Sequence, residues 1–467
     1  METKEETHMT QAEQLAAFVV RASYEDISDE ARQQLKLRVL DAIACAIGAL
    51  EGEPLGMIRA QIQDFGGAEL CTLIGGGRTA PDRAAFYNSA LVRYLDFNDS
   101  YVAPGETCHP SDNLGAVLAA AEYAKRSGKD FLTALAVAYQ VQARLSDVAP
   151  VRAKGFDHTT QGSFAVAAAT AKALGLNQAQ TANAIAISGT ALNALRVTRT
   201  GKLSHWKGLA YPNTVFGGVH ATFLAMRGIT GPLEVFEGNK GFMDSIAGPF
   251  EIDWSGEDLE RVRRTMIKRY NAETHAQSTI EGIYELKAEQ RFSPGQITRV
   301  EIETFDVAYH IIGGGEEGNK HIVTTKEEAD HSLPYMVAVA LLDEQVMPEQ
   351  YTSERIQRED VQALLRKVSV RPVEEYSRRF PAEMPCRITL WLDDGRVLSK
   401  EKRDFEGYLT RPMRWETLLD KFERLSRSYT DAALRREIAD AVAHLDAIPV
   451  NDLTRLLARV GRSERDA

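Results

Sequence analysis

The sequence contains no run of 18 apolar residues free of charge, so no conventional membrane-spanning helix is expected. It has four cysteines, Cys45, Cys71, Cys108 and Cys386, and no CxxC pair among them. That spacing lacks the thiolate framework of an iron–sulfur or zinc site and predicts reduced thiols in a cytoplasmic protein. The opening residues Met1-Glu2-Thr3-Lys4-Glu5-Glu6 are acidic and have no apolar segment, so no secretory signal is expected. Basic residues are not in excess: 55 Lys and Arg stand against 66 Asp and Glu, a net charge of −11. This argues against a nucleic-acid partner but leaves a small anionic substrate open, because binding answers to the local field. Internal repeats and low-complexity tracts are missing too. Only the first eight residues and the polar tail Gly461–Ala467 are expected to be disordered.

At 467 residues the chain exceeds the size at which one core stops growing, and two domains are expected. The first half reads as helices. After Asp26-Ile27-Ser28, apolar residues recur at Leu35, Val39, Ile43, Ile47 and Leu50, with Asp29 and Glu30 in the first turn. Similar stripes predict helices over 81–95, 113–127, 130–146, 161–174, 178–190 and 213–227, several of them rich in Ala. Small residues let helix axes approach closely, as in a compact bundle. Leu70–Ile74 alone looks like a strand in this half. Near residue 262 the character changes: 297–305, 366–373, 386–392 and 396–403 have strand content, and Asp393-Asp394-Gly395 is a hairpin turn. Helices are expected between them at 275–288, 332–343 and 358–366. From Trp415 to about 460 the pattern is helical again, so the tail is expected to pack on the first domain. The fold class is mainly α, a helical unit joined to an α+β unit.

Polar residues concentrate where helices begin. Asp96 and Asp99 end one helix and precede His109-Pro110-Ser111-Asp112, where Ser111 or Asp112 is a natural N-cap. His109 has less structural reason to be there; free backbone N–H groups at a helix start favour an anion such as a carboxylate. The two aspartates are placed to orient that histidine. His158 lies in a second polar lead-in. Arg196, Arg199, Lys202, His205 and Lys207 form a basic cluster interleaved with Trp206 and Tyr211, which reads as a pocket wall. In Lys268-Arg269-Tyr270-Asn271-Ala272-Glu273-Thr274-His275, Thr274 is a plausible cap and His275 suits a general base. His331-Ser332-Leu333-Pro334-Tyr335 opens another helix, with Ser332 as the capping residue. Each of these has a structural explanation by itself; their recurrence is hard to explain by packing.

The segments Leu95-Asp96-Phe97-Asn98-Asp99, His109-Pro110-Ser111-Asp112-Asn113, His275-Ala276-Gln277 and Ala329-Asp330-His331-Ser332-Leu333-Pro334-Tyr335 resemble those of the MmgE/PrpD family, in matching order over nearly the whole chain. That family includes 2-methylcitrate dehydratases and cis-aconitate decarboxylases. The resemblance implies a large all-helical domain of 1–265 completed by 411–467, and an inserted α+β lid domain of 266–410. It further implies a homodimer with the site between the domains, and a citrate-like polycarboxylate as the small-molecule substrate. Asp96, His109, His158, Lys207 and His275 are the catalytic positions it carries over, with Arg199, Asp99, Ser111, His331 and Tyr335 in contact with substrate. Two stretches depart from the pattern: the loop 101–107 before His109, which would border the substrate, and Ser204–Gly208, whose lysine resembles the decarboxylase branch.

The chemistry expected is proton removal α to a carboxylate with protonation of a departing hydroxyl, by His275 and His109 in either order. Lys207, His158 and Arg199 would bind carboxylates, and Asp96 would set a histidine tautomer. No cofactor and no metal is expected; a His109–Asp112 metal site is weakened by the intervening proline. Decarboxylation or epimerisation through the same carbanion stays open, as does a non-catalytic helical protein that binds small acids.

Overall fold

Capping side chains mark where the helices start. Thr10 and Glu13 form a capping box at α1 (Gln11–Arg21), Ser28 caps α2 (Asp29–Gly48), and Ser127 with Asp130 closes the start of α6 (Gly128–Val148). Each box satisfies backbone N–H groups that the first turn leaves without partners. The computed structural model describes residues 9–461; the stretches 1–8 and 462–467, expected to be disordered, lie outside the described residues.

The remaining helices of the first half are α3 (Glu53–Phe65), α4 (Pro81–Tyr94), α5 (Leu114–Tyr123), α7 (Thr159–Leu174), α8 (Gln178–Ala191) and α9 (Trp206–Met226). α7 lies at the centre, against α5, α6, α8 and α9, and α4 packs on α5 and α9. The alanines of α5 and α7 are buried, as their small size requires in a closely spaced bundle. At Gly115 a Cβ would fall 2.5 Å from the Ala85 carbonyl oxygen, so only glycine lets α5 cross α4 here. The helix expected to begin after Pro212 begins at Trp206 and contains that proline.

Strand content is small. Cys71–Thr72 (β1) pairs with Arg78–Thr79 (β2) within the segment expected as a strand. The loop 101–107 is a hairpin of Tyr101–Ala103 (β3) and Glu106–Cys108 (β4), turned by Gly105 at φ +75°. In the second half α10 (Gln277–Glu289) leads to a four-stranded sheet of β5 (Ile297–Thr304), β6 (Val368–Pro372), β7 (Cys386–Leu392) and β8 (Val397–Lys402). Its order is β6-β5-β7-β8, with β5 and β6 parallel and the other pairs antiparallel. Gly395, at φ +86°, turns the β7–β8 hairpin as its sequence predicts. The helix Leu333–Asp343 packs against α10 and β6.

Two hydrophobic clusters dominate. One joins Ala12 through Ile267 with Met413 through Val460 and also takes in Met347; the other runs from Ala272 to Leu398. The C-terminal helix Trp415–Ser426 returns to α2, as its amphipathic pattern predicts. The protein is mainly α with small sheets.

Candidate active site

Where the two hydrophobic clusters meet, the charged residues are buried. Asp96 follows the end of α4 in a left-handed backbone conformation, φ +53°, which aspartate tolerates better than most residues. That turn brings its carboxylate back to Arg93 Nη1 at 2.7 Å and to Lys268 Nζ at 2.8 Å. Lys207 Nζ stands 3.4 Å away on the other oxygen. Burial opposes ionisation of Asp96, but Arg93, Lys268 and Lys207 outweigh it and hold the carboxyl well below its ordinary range.

Lys207, in the first turn of α9, also donates to Asp330 Oδ1 at 2.6 Å and lies 2.8 Å from His331 Nδ1. His331 Nδ1 is itself 2.8 Å from Asp330 Oδ1, so lysine, imidazole and carboxylate are in mutual contact. Lys326 occupies the second oxygen of Asp330 at 2.8 Å. Burial lowers Lys207 and His331 relative to their free values, against the opposing pull of Asp330 and Asp96.

Three more histidines of the site are buried. His109 Nδ1 donates to the Asp99 carbonyl at 2.7 Å. His158 Nδ1 lies 3.2 Å from Asp157, whose carboxylate is held by Arg199 at 2.6 Å. His275 Nδ1 donates to Glu273 Oε1 at 2.8 Å. With Nδ1 committed in each, Nε2 is the free nitrogen; in His158 and His275 it is buried without a partner. His109 and His158 are 5.7 Å apart in a T-shaped contact, and Ser100 Oγ bridges His109 to Thr274 Oγ1, next to His275, at 3.2 and 2.6 Å.

Their surroundings differ. Burial, then Arg93 and Lys268, push His109 well below the ordinary imidazole value. Burial carries His158 down to about 3 despite Asp157, with Arg199, Arg93 and Arg196 adding to the shift. Burial alone would raise Glu273, but His275 with its hydrogen bond, then His331 and Lys268, bring it to about 2. The carboxylate beside His275 is therefore ionised. His109 has the Asp99 carbonyl and Ser100 Oγ behind it rather than a carboxylate.

Several expected roles change. Asp96 does not orient His109; it binds cations and approaches a histidine, His331 Nδ1, only at 3.7 Å. Asp99 orients His109 through its backbone, while its carboxylate accepts from Ser111 N at 3.1 Å and Tyr139 Oη at 2.7 Å. Ser111 and Asp112 do not cap α5: both accept from Asn98 Nδ2, at 2.8 Å each. Glu273 rather than Thr274 caps the turn at His275. Ser332 does cap its helix. Tyr335 is buried in the second hydrophobic cluster, and its hydroxyl donates to the Gln350 carbonyl, away from the histidines. Arg199 is spent on Asp157 and the Lys207 carbonyl. Trp206 is 47% exposed and forms no pocket wall, whereas Tyr211 is buried and stacks 6.1 Å from His158. Gly162 makes room for it: a Cβ there would meet Tyr211 Oη at 2.7 Å.

Arg93, Lys268, Glu273, Asp330 and Asp157 belong to the cluster without having been singled out. Lys268 and Glu273 stand within the segment around His275, and a carboxylate two residues before a helix-entry histidine is the signal that would have marked the latter. Among the described residues, Asp96, Asp330 and His331 form the one group with donor atoms close enough, within 4.8 Å, to hold a metal ion. Their oxygens already face Lys207, Lys268, Lys326 and Arg93, a surrounding that repels a further cation. A cavity of about 10 Å³ reaches Asp96 and Lys207, adjoining a groove of about 860 Å³ past Tyr94 and Lys326. The smaller space is about that of one water.

A helical protein with a buried His, Lys and carboxylate centre between two cores is thus a candidate for acid–base chemistry on an anion. The profile of the MmgE/PrpD N-terminal domain matches residues 13–255 and that of the MmgE/PrpD C-terminal domain residues 270–447; the chain belongs to this family. It is 25% identical to the 2-methylcitrate dehydratase of Escherichia coli K12, over 92% of this chain and 94% of that protein. It is 26% identical to a fungal alkylcitrate dehydratase, over 92% and 90%, and 27% identical to the cis-aconitate decarboxylase of Mus musculus, over 74% and 72%.

Proposed function

We propose that the protein is a carbon–oxygen lyase that dehydrates a citrate-like polycarboxylate, 2-methylcitrate or citrate, by histidine acid–base catalysis. The observation that carries this reading is the His275–Glu273 pair, a buried ring with its Nε2 free and an ionised carboxylate ready to support the proton it takes. His275 removes the proton α to a substrate carboxylate, and Lys268, which also holds Asp96, stabilises the negative charge that develops there, such a donor being worth roughly 3–4 kcal/mol. The Lys207 ammonium, in contact with His331 and Asp330, supplies the acid for the departing hydroxyl. His109 and His158 are neutral at pH 7, and Nε2 of one of them accepts from the substrate hydroxyl. Dehydratases among the relatives, at 25–26% identity over most of the chain, support the reaction type. Decarboxylation is the second reading: it passes through the same carbanion, and the mouse relative is named for it.

The two hydrophobic clusters support a division into 1–265 with 411–467 and a lid of 266–410. The cavity of about 10 Å³ beside Asp96 and Lys207 is too small for a tricarboxylate, and parting of these units would enlarge it. Exposed Leu195 and Val197, at 60 and 70%, are apolar surface that a homodimer would cover. Four unpaired, buried cysteines agree with a cytoplasmic setting.

The test is incubation of the purified protein with citrate, 2-methylcitrate and cis-aconitate, with and without EDTA, following absorbance at 240 nm and CO₂ release. Unsaturated tricarboxylate formation insensitive to EDTA is expected. CO₂ release without that product moves the assignment to decarboxylation, and loss of activity with the chelator defeats the cofactor-free reading.

A further inference from the structure

His158 is supported from its Nδ1 side by Asp157, and Asp157 is held in turn by two arginines of one short segment. Arg199 Nε donates to Asp157 Oδ2 at 2.6 Å, and Arg196 Nη1 lies 3.7 Å from the same oxygen. The segments bearing these residues are tied to each other through the backbone. Asp157 N donates to the Ala194 carbonyl and Arg196 N to the Gly155 carbonyl, each at 2.9 Å. A displacement of Arg196 is therefore passed to the residues that carry the His158 ring.

The other end of Arg196 reaches out of the helical half. Its Nη2 donates to Glu317 Oε1 at 2.7 Å, and Arg152 Nη2 donates to the same oxygen at 2.6 Å. Glu317 lies in the unit of 266–410, and its side chain is only 7% exposed. An exposed ion pair is worth little, but a carboxylate screened from water and shared by two guanidiniums keeps more of its attraction. Arg152 is fixed on its own side as well, its backbone N donating to Glu106 Oε2 at 3.2 Å.

The backbone that carries Glu317 has little order of its own. Gly314-Gly315-Glu316-Glu317-Gly318 is turn and coil, with Gly314 and Gly318 at φ +105° and +95°. Glycine loses more conformational freedom on ordering than any other residue. Two bonds hold the stretch within its own unit, from Glu317 N to the His310 carbonyl at 3.0 Å and from Ser332 Oγ to the Lys320 carbonyl at 2.6 Å. The two arginines hold it to the helical half.

We propose that Glu317 is a positioning residue: when the two units close, it locks Arg196 in place and, through Asp157, sets the His158 ring for the substrate. The proposal rests on the reading of this centre as a site for citrate-like acids that opens and closes. Parting of the units breaks the Glu317 pair, because its partners lie on opposite sides of the division, and leaves Arg196 free to move relative to Asp157. The support of His158 is then complete only when the lid is seated.

The test compares kcat/KM for 2-methylcitrate and citrate in wild type, Glu317→Ala, Glu317→Gln, His158→Asn and Glu317→Ala combined with His158→Asn. Hydrogen exchange in peptides covering 151–158 and 194–199 is read on the same proteins without substrate. Glu317→Ala is expected to lower kcat/KM by about 10–100-fold, the order of loss that a misplacement of about 1 Å produces. Glu317→Gln, whose amide oxygen still accepts from both arginines, should lose about three- to tenfold, and it repeats the comparison if Glu317→Ala melts below the assay temperature. In His158→Asn the further change Glu317→Ala should cost less than about threefold, because the ring it positions is gone. Exchange in both segments should quicken in Glu317→Ala. Glu316→Gln, at the exposed neighbour, removes the same charge and should match wild type. A kcat/KM of Glu317→Ala within about threefold of wild type, or unchanged exchange, overturns the role of Glu317 and leaves the reading of the site standing. Fully additive losses in the combined variant also overturn it, since they mark an effect that does not pass through His158. A wild type that acts on neither acid, or His158→Asn with wild-type kcat/KM, overturns the reading of the site and the proposal with it.

Discussion

Glu273→Gln separates orientation from charge at the proposed base. The amide oxygen can still accept from His275 Nδ1, now 2.8 Å from Glu273 Oε1, at the expense of the cap bond that Oε2 takes from His275 N at 2.7 Å, but it cannot stabilise an imidazolium. Two unit charges about 4 Å apart attract by about 4 kcal/mol at an effective dielectric constant of about 20. If that attraction is present only when His275 has taken the substrate proton, its loss lowers kcat by about three decades. KM should move little, since no substrate contact is removed. Steady-state rates at 240 nm on 2-methylcitrate would show this split. The same substitution carries a stability signature. Glu273 is held at about 2 against an ordinary 4.5, so it contributes stability that is fully present above about pH 4.5 and is lost as pH falls toward 2. The difference is worth on the order of 3 kcal/mol at neutral pH. Urea denaturation at pH 7 and at pH 3 should show the variant's deficit shrinking in acid. A kcat within about tenfold of wild type would refute the assignment of His275 as the base.

Two further outcomes are expected. His158 remains neutral when folded down to about 3, whereas the unfolded ring protonates near 6.5, so the unfolded state gains a proton below 6.5. Stability from this group should be full above that value and fall by about 1.4 kcal/mol per pH unit between 6.5 and 3, with His109 adding in the same direction. His158→Asn should flatten part of that limb in urea titrations, and an unchanged limb would mean that the ring is not held neutral. Lys421, on the helix Trp415–Ser426, pairs with the buried Asp41 and donates to the carbonyls of Phe97 and Lys268 at 2.8 and 2.9 Å. Lys421→Met should cost about 3–5 kcal/mol in urea unfolding by leaving a buried charge unpaired, and adding Asp41→Leu should recover much of it. A cost below about 1 kcal/mol would show that the pair is not desolvated.

The parts of the centre legible in the sequence are those whose residue type is out of place locally. His109, His158, His275 and His331 stand at helix entrances where Ser, Thr or Asp would suffice, and Lys207 lies among aromatics. Their partners were not legible in the same way. Asp330, Asp157 and Glu273 look like ordinary first-turn or loop acids, and Arg93 and Lys268 like solvated cations, until the fold buries them. Asp96 shows the difference most clearly. Its proximity to His109 along the chain pointed to a His–Asp pair, but its left-handed turn sends the carboxylate to Lys268 and Lys207 instead. α9 starts at Trp206 rather than at the expected 213, because Pro212 is accommodated in the helix interior.

Local order determined the helices, their caps and the β7–β8 turn, because these depend on contacts three or four residues apart and on the φ preference of a single glycine. It also determined that the chain carries histidines in places that packing does not require. Only the tertiary structure decided which charges meet. Lys268 reaches Asp96 across 172 residues and Lys207 reaches Asp330 across 123, and those pairings exist only where the two cores close on each other. Protonation follows from the same closure, since burial and the sum of neighbouring fields, not residue type, keep His109 and His158 neutral and Glu273 ionised.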